Sequence, residues 1–277
     1  MAAITAQMVK ELRERTSLGM MDCKRALVES EGDMDLAIDN LRKSSGMKAA
    51  KKAGRIASDG LIGMKVAENG TSAVMVEVNC ETDFAARNEN FLEFVTTVTN
   101  QAFSSKETDV AKLLDSGLEV TRENLVQKIG ENCSIRRVEA FEGVIGSYMH
   151  TNGRIGVLVS LEGGNSELGR DVAMHIAATS PAVVSPDDAP ADVVAKEREI
   201  FTAQARESGK PPEIVEKMIE GRIRKYLAEI SLTEQPFVKG GDIKIGALLN
   251  REGAEVIRFA RFEVGEGIEK EEEDFAA

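Results

Sequence analysis

The sequence predicts an α+β protein: a bundle of three short helices, a core of two related α+β subdomains, an inserted helical hairpin and a short C-terminal module. Three short amphipathic helical patterns occupy the first part of the chain. A hairpin–helix–strand pattern then occurs twice, with the second copy 83 residues after the first. Two longer helical patterns interrupt the second copy, so two subdomains of related topology are expected to pack on each other.

Length, composition and charge exclude several classes of protein. The chain has 277 residues, enough for one large domain or two to three ordinary ones. Charged residues make up 30% and hydrophobic residues 42%, which is typical of a folded globular protein rather than a disordered one. The formal net charge of −12 repels phosphate backbones, so we expect no direct nucleic-acid binding.

The sequence offers few parts for catalysis or for a metal site. Its three cysteines lie far apart, which fits a reducing cytoplasm better than a disulfide framework or a metal cluster. No apolar run approaches the roughly 20 residues that span a bilayer, and no signal-peptide layout is visible at the N-terminus. With two histidines and no triad order or HExxH pattern, we expect no enzyme, no cofactor, no metal and no membrane contact.

The N-terminal helices are predicted over Thr5 to Arg15, from about Met21 to Glu31, and from the cap Asp33 onward. The small, basic stretch from residue 44 to 54 is predicted to be a partly helical linker, so the first domain spans residues 1–54 with its linker. Two interpretations of Gly19-Met20-Met21 stay open at this point. The methionines either fill the core of the bundle or form a protein-binding loop, since methionine gives adaptable apolar contact area.

The repeat defines the core. Asn69-Gly70 corresponds to Asn152-Gly153, and Asn-Gly between β-rich runs predicts a tight hairpin in each copy. The flanking strings Gly60-Leu61-Ile62-Gly63 and Gly143-Val144-Ile145-Gly146 match at the same offset of 83 residues. The predicted helices are Asn90 to Phe103 and Glu167 to Thr179, and the predicted closing strands are Ile135 to Glu142 and Ile257 to Glu263. The subdomains then span residues 55–142, and 143–184 with 230–264.

The interruption of the second copy is predicted to be a helical hairpin over residues 185–229, built from Ala191 to Ser208 and Glu213 to about Glu229. Its apolar faces either pack only on each other or also pair with a second copy of the chain, giving a homodimer. A short helix from Ile243 to Asn250 follows. Residues 265–277 form an acidic C-terminal module in which Ile268 and Phe275 are the large apolar residues.

The corner from Val78 to Asn88 joins the first hairpin to its helix and contains Thr82, Asp83 and Phe84. One interpretation is local: Thr82 or Asp83 caps the next turn and Phe84 packs into the core. The other is that Phe84 is a wedge, that is, a side chain that inserts into a partner. The corresponding corner, Leu161 to Asn165, has neither aromatic nor aspartate, so closing the hairpin does not require this pair.

Several strings, in order along the whole chain, resemble the bacterial elongation factor Ts family. They are Thr16 with Gly19-Met20-Met21-Asp22-Cys23-Lys24, Glu77-Val78-Asn79-Cys80-Glu81-Thr82-Asp83-Phe84, Ser208-Gly209-Lys210-Pro211, Met218-Ile219-Glu220-Gly221-Arg222, Gln235-Pro236-Phe237-Val238 and Arg261-Phe262-Glu263-Val264-Gly265-Glu266-Gly267-Ile268-Glu269. The chain departs from the family at Ala85, where many members carry valine, and at Ser17-Leu18, which replaces a smaller pair.

The resemblance implies a fold and a partner. The N-terminal bundle would be of the ubiquitin-associated type, and the inserted hairpin would be a dimerisation element. The function implied is guanine nucleotide exchange on the translational GTPase elongation factor Tu, without chemistry from the factor itself. The alternative is a GTPase-binding or chaperone-like stabiliser that does not accelerate exchange.

The resemblance also implies contact residues, which we carry over by position. Asp83 and Phe84 would lie near the magnesium and switch region of the GTPase, and Thr82 beside them would also bind the partner. Met20, Met21 and Lys24 would contact the GTPase domain near the nucleotide. Ile129, Gly130 and His150 would contact another domain of the partner, and the C-terminal module would rest on the GTPase domain. His175, between apolar residues, is expected to be a core histidine instead.

Overall fold

The computed structural model describes residues 4–16, 18–207 and 211–269, and it confirms the predicted α+β class. The helices are α1 (Ala6–Thr16), α2 (Met20–Glu29), α3 (Met34–Lys52), α4 (Asp83–Ala86), α5 (Glu89–Ser105), α6 (Val110–Leu113), α7 (Glu119–Ile129), α8 (Ser166–Thr179), α9 (Ala191–Arg206), α10 (Pro212–Ile230) and α11 (Ile245–Arg251). The strands are β1 (Asp59–Val66), β2 (Ser72–Cys80), β3 (Cys133–Glu142), β4 (Val144–Met149), β5 (Ile155–Gly163) and β6 (Ala254–Glu263).

Helices α1, α2 and α3 form the predicted N-terminal bundle around Leu12, Cys23, Leu27 and Ala37, which are fully buried. The turn between α2 and α3 follows from its sequence. Gly32 adopts a φ of 90° and its N–H donates to the carbonyl of Leu27, and such positive φ values favour glycine at helix ends. Asp33 caps α3, as predicted, because its carboxylate accepts from the N–H of Leu36 at 2.9 Å.

The predicted partly helical linker over residues 44–54 is helical over most of its length and is packed on the core. Helix α3 continues through it to Lys52, and Ser45 and Ala49 are buried against the core. The Ser45 hydroxyl bonds to the Gln127 side chain of α7, so the small residues of this stretch allow two helices to approach each other. The bundle is therefore joined to the core by a packed helix, not by a flexible segment.

The described residues form two antiparallel three-stranded sheets, in the orders β1-β2-β3 and β4-β5-β6. The first strand of each copy pairs with the second across an Asn-Gly turn, as predicted, and the third strand pairs with the second on its other side. Both sheets contain a register shift at the same repeat position, after Glu77 in one and after Ser160 in the other. The repeat in sequence is thus a repeat in structure.

In each half, a helix packs closely on the sheet at a glycine of the first strand. A Cβ on Gly63 of β1 would lie 2.1 Å from the Thr99 hydroxyl of α5, and a Cβ on Gly146 of β4 would lie 2.2 Å from the Gly169 backbone of α8. The other faces of the two sheets share a common cluster. Its buried residues are Ile62, Ala73, Met75, Phe141, Ile145, Leu158, Phe262 and Val264. The sheets therefore pack face to face, with their helices outside.

Residues between α5 and β3 were not predicted from sequence. They form α6, a turn of π-helix over Leu114–Leu118 and α7. Leu113, Leu118, Leu125 and Val126 bury their side chains in the same core as α5. This helical segment ends at Gly130, whose φ of 85° closes α7.

The inserted hairpin is formed by α9 and α10, which pack through Ala205, Ile219 and Ile223. Its base is closed, since the N–H of Ala182 donates to the carbonyl of Ile230 at 2.8 Å. The predicted end of its first helix, Ser208, and the string Ser208-Gly209-Lys210 lie outside the described residues. Pairing with a second copy through this hairpin stays a prediction, as do the domain limits.

The C-terminal segment folds back on the core as far as it is described. A Cβ on Gly265 would lie 2.2 Å from the Ser58 carbonyl oxygen, which shows how closely the two backbones approach. Residues 270–277, including Phe275, lie outside the described part, as does Ser17. Across the described ranges, no helix combines the length and apolar character that a bilayer crossing needs.

Candidate partner-binding site

The corner after β2 presents Phe84 to solvent. Strand β2 ends at Cys80, and Thr82 caps the single turn α4 because its hydroxyl oxygen accepts from the N–H of Ala85 at 3.2 Å. Ala85 and Ala86 point inward and are buried, whereas the Phe84 side chain is 80% exposed. The local interpretation is therefore right for Thr82 as a cap and wrong for Phe84 as a core residue.

Asp83 lies beside Phe84 and is half exposed. Its carboxylate pairs with the guanidinium of Arg87 at 2.9 Å, one turn further along the chain. Exposed pairs of this kind are worth about 0–1 kcal/mol, so the carboxylate can exchange Arg87 for another partner at little cost. The corner thus offers an acidic group and an aromatic ring side by side.

The turn after α7 is joined directly to this corner. The Glu131 carboxylate accepts from the N–H groups of Glu81 and Thr82 and from the Thr82 hydroxyl, while the Glu81 carboxylate accepts from the N–H of Asn132. The same turn carries Ile129, half-buried, and Gly130, exposed. The structure therefore brings the predicted contacts at 82–84 and 129–130 together.

Helix α3 reaches the same place. The ammonium group of Lys52 donates to the Gly130 carbonyl, and the Asn132 amide donates to the Arg55 carbonyl at 2.9 Å. Arg55 also forms an ion pair with Glu81 at 3.5 Å. The end of α3 is thus tied to the turn after α7 and to the corner by polar contacts.

The methionines of α2 lie on the surface of the bundle. Met20 is 59% and Met21 74% exposed, and Lys24 is exposed one turn later. The interpretation that this pair fills the core is wrong, because Cys23 and Leu27 take that place. Together with Val9 and Arg13 of α1, Met20, Met21 and Lys24 line a cleft of about 370 Å³ with apolar walls and a basic rim.

His150 lies on the other subdomain, at the hairpin turn between β4 and β5. Its ring Nδ1 is 3.2 Å from the Tyr148 hydroxyl, and its side chain is exposed, as expected from sequence. The turn reaches the first sheet, since the N–H of Ile62 donates to the Gly153 carbonyl at 2.8 Å. His150 and the methionines are therefore held on elements separate from the corner.

The buried titratable groups near the corner belong to the core. Cys80 and Cys133 face each other across β2 and β3. Burial raises the pKa of the Cys80 thiol far above its ordinary value and that of Cys133 to about 12, so both stay protonated at neutral pH. His175 is fully buried, and its Nε2 is 2.9 Å from the Gln235 side-chain oxygen, which confirms the predicted core histidine. The described residues contain no cluster of His, Cys, Asp or Glu side chains suited to a metal ion.

Comparison with known families agrees with the geometry. The family described as elongation factor TS matches residues 81–266. A relative from Hahella chejuensis, named Elongation factor Ts, is 62% identical over 278 residues, covering 100% of this chain and 97% of the relative. The chain belongs to the elongation factor Ts family. Relatives of the same name from Saccharophagus degradans and Teredinibacter turnerae are 60% and 59% identical, each covering 99% of this chain and 96% and 95% of the relative.

Membership of the elongation factor Ts family fits the full length of the chain, and it makes this an elongation factor of protein biosynthesis. The sequence nevertheless did not reveal Glu131 and Glu81 as parts of the site. A carboxylate that bonds to a backbone 49 or more residues away leaves no periodic signal in the sequence. The positions of Glu81 beside Thr82 and of Glu131 beside Gly130, each next to a predicted contact, were the available indication.

Proposed function

We propose that this elongation factor Ts family member promotes GDP release from elongation factor Tu by disturbing the magnesium and switch region and the phosphate loop of the GTPase. It then stabilises the nucleotide-free state until GTP binds. Family membership implies nucleotide exchange on elongation factor Tu in general, whereas the individual steps and the residues that perform them are our proposal. The single observation that carries it is the exposed Phe84 ring on the anchored turn α4.

An exposed aromatic of this kind is suited to insertion into a partner. Phe84 is 80% exposed although Ala85 and Ala86 beside it are buried, so the turn directs its largest side chain outward. Burying one phenylalanine is worth about 1.5–3 kcal/mol. If the ring is buried in the nucleotide-free partner and not in the GDP-bound one, Phe84 alone weakens GDP binding by roughly ten- to a hundredfold.

Asp83 extends the effect to the metal site. In GTPases the magnesium ion neutralises the phosphates, and the phosphate loop supplies oriented backbone N–H groups, so displacing either loosens GDP. A carboxylate whose present partner is the exposed Arg87 can approach that region without losing much. The factor supplies binding energy and no bond-making step, which is why we propose that it is not an enzyme.

The other predicted contacts would supply the rest of the free energy by which binding of the factor weakens binding of GDP. Met20, Met21 and Lys24 form an apolar cleft with basic groups that suits the GTPase domain. Ile129 and Gly130 lie at the same edge as the corner, and His150 adds a contact from the second hairpin. The net charge of −12 argues against direct nucleic-acid binding, and the translational partner implies a cytoplasmic location.

The test is release of fluorescent GDP from elongation factor Tu at catalytic amounts of the factor. The parent chain is expected to accelerate release, and Phe84→Ala is expected to reduce the acceleration by about ten- to a hundredfold. Its thermal unfolding midpoint should match the parent's, because the ring makes little contact within the chain. The matched control is Ile257→Ala, which removes a 53% exposed apolar side chain from β6 and should leave exchange unchanged.

Two outcomes would contradict this proposal. A parent chain that binds the GTPase equally well with and without excess GDP, and leaves release unchanged, would indicate a stabiliser that does not accelerate exchange. A Phe84→Ala variant that exchanges as fast as the parent would show that the aromatic ring is not the wedge.

A further inference from the structure

We propose that Glu131 is a positioning residue for nucleotide exchange, which holds the corner at Thr82–Phe84 in the conformation that presents the Phe84 ring. This inference rests on the proposed function and adds to it a residue that does not contact the partner. Glu131 acts through the backbone of the corner and through the Thr82 cap. It is half-buried at the start of the segment that leads into β3.

The Glu131 carboxylate makes three hydrogen bonds to the corner. One oxygen accepts from the N–H groups of Glu81 at 3.1 Å and Thr82 at 3.0 Å, and the other accepts from the Thr82 hydroxyl at 2.7 Å. Hydrogen bonds to an ionised acceptor are about twice as strong as neutral ones. In return, Glu81 accepts from the N–H of Asn132 at 2.5 Å, so the two segments hold each other.

The Thr82 hydroxyl links Glu131 to the turn that carries Phe84. It donates to Glu131 and at the same time accepts from the N–H of Ala85, the third residue of α4. A helix of four residues does not hold its own geometry, because nucleating a helical turn is unfavourable. Besides the burial of Ala85 and Ala86, the orientation of Phe84 therefore depends on the position of Thr82, which Glu131 holds through three hydrogen bonds to the corner.

The second half of the molecule shows that the scaffold does not need this arrangement. There the corner after β5 is capped locally: the Asn165 side chain accepts from the N–H of Leu168 at 2.9 Å and begins α8. In the first half, the cap is held by a carboxylate 49 residues away in sequence. The half of the molecule that has the exposed Phe84 is thus also the half in which a distant carboxylate, Glu131, holds the cap. Glu131 lies in the turn that also carries Ile129 and Gly130.

Fixing the corner in the free protein has a direct consequence for exchange. Ordering a mobile segment on binding costs conformational entropy and reduces affinity. If the corner is already ordered, more of the free energy of the Phe84 contact is available for binding the partner. Without the Glu131 carboxylate, the N–H groups of Glu81 and Thr82 lose their acceptor and the corner gains alternative conformations. We expect the loss to appear in GDP release rather than in the global stability of the protein.

The experiment is a double-mutant cycle on GDP release, using the full chain, elongation factor Tu and fluorescent GDP. Glu131→Ala is expected to slow factor-stimulated release by about tenfold in the parent and by less than about twofold in a Phe84→Ala background. Glu131→Gln should restore part of the rate, because its amide oxygen still accepts from both N–H groups, whereas its amide nitrogen cannot accept from the Thr82 hydroxyl. If the alanine variant does not fold, Glu131→Asp takes its place, since it keeps the charge and shortens the reach.

Each other outcome counts against the inference. Parent-like exchange by both folded Glu131→Ala and Glu131→Asp, or the same loss with and without Phe84, would mean that Glu131 has only a structural role or none. Parent-like exchange by Phe84→Ala overturns it as well, together with the wedge of the proposed function. Nucleotide exchange as such fails separately, when the parent chain itself does not accelerate GDP release.

Discussion

His175 shows how one buried side chain makes stability depend on pH. Its Nδ1 accepts from the N–H of Val238 at 3.4 Å, so the neutral ring carries its proton on Nε2, facing the Gln235 oxygen. Burial lowers the pKa of His175 below its ordinary value of 6.5, although the Gln235 contact opposes this. A lowered pKa means that the unfolded chain takes up the proton first. The stability due to neutral His175 is therefore present above pH 6.5 and is lost as the pH falls below it.

We predict that the free energy of unfolding decreases as the pH falls below 6.5, with a slope from this one group of at most about 1.4 kcal/mol per pH unit. Urea unfolding at several pH values measures it. His175→Gln cannot titrate, so it should lose less stability than the parent in this pH range. It should also be less stable than the parent at pH 7, because it does not fill the space of the buried ring. Equal pH slopes for the parent and the variant would show that another group is responsible.

The corner shows which properties of single residues could be predicted from the sequence. Comparing Thr82–Phe84 with Leu161–Asn165 correctly indicated that the aromatic was not needed for closing the hairpin, and Phe84 is exposed. The exposure of Met20 and Met21 was not decided by sequence, because a small bundle has room for either interpretation. Glu131 was missed because its partners are distant in sequence. Contacts between distant polar groups depend on the fold and not on local pattern.

At the scale of elements, hairpins and their helices were predicted almost to their ends, since Asn-Gly turns and apolar periodicity are local signals. The prediction of a partly helical linker did not include its packing, which depends on a second helix. Residues 44–52 are small and basic, which is typical of a linker, but Ser45 and Ala49 are buried because α7 packs on them. Helix α7 itself was not predicted, so its effect on α3 was not foreseen.

The contact between β4 and α8 leads to a prediction about packing. Gly146→Ala places a methyl group 2.2 Å from the Gly169 backbone, and neither strand nor helix can move without disturbing its own core. We expect a loss of about 1–3 kcal/mol in the free energy of unfolding, measured by urea denaturation. The control is Gly221→Ala on α10, where the added Cβ meets nothing within 4 Å.

Gly221→Ala should raise stability by about 0.4–1 kcal/mol, because an exposed glycine in a helix interior costs conformational entropy. Both substitutions add one methyl group. Opposite changes in the free energy of unfolding would therefore show that the loss in Gly146→Ala comes from the close approach of β4 and α8. A Gly146→Ala variant as stable as the parent would mean that the strand and helix separate easily.

At the scale of the whole molecule, the two sheets are joined by charge as well as by their shared apolar cluster. Arg137 of β3 lies over the Phe262 ring at 4.1 Å, and Arg258 of β6 lies over Phe141 at 3.8 Å. Cation–π contacts of this kind are worth about 0.5–2 kcal/mol. Arg137 and Arg258 occupy equivalent positions of the repeat, opposite Glu77 and Ser160, and Phe141 and Phe262 lie opposite Ala73 and Gly156, so the same pair joins the halves twice. The repeat in sequence predicted two related halves but not these contacts, because they depend on how the halves pack on each other.

Glu77 is the clearest difference between the halves. It occupies the repeat position of Ser160, at the register shift of its sheet, and its side chain is fully buried. Its carboxylate accepts from Arg136, from Arg137 and from the backbone N–H of Gly265. Burial by itself raises the pKa of Glu77, but the Gly265 N–H, the Asn79 amide and the two arginines together hold it below its ordinary value of 4.5.

This carboxylate ties the C-terminal segment to the first sheet, so we predict that Glu77→Gln lowers stability at pH 7 by about 3 kcal/mol, the lower end for a broken buried pair. The arginines keep some exposure, which limits the cost. Because the pKa of Glu77 is lowered by folding, its stabilisation is fully present above pH 4.5 and is lost progressively as the pH falls below this value, so the difference between the parent and the variant should begin to narrow there. Urea unfolding between pH 7 and pH 4 measures both effects.

The control is Glu139→Gln, which breaks an exposed pair with Arg258 between the same two halves and should cost about 0–1 kcal/mol. Hydrogen exchange adds a local measurement with Glu77→Ala, which has no side-chain acceptor: the N–H of Gly265 should exchange faster in this variant and stay unchanged in Glu139→Gln, since it donates to the Glu77 carboxylate. If Gly265 stays protected in Glu77→Ala, the C-terminal segment is held by its packing against Ser58 rather than by the buried charge.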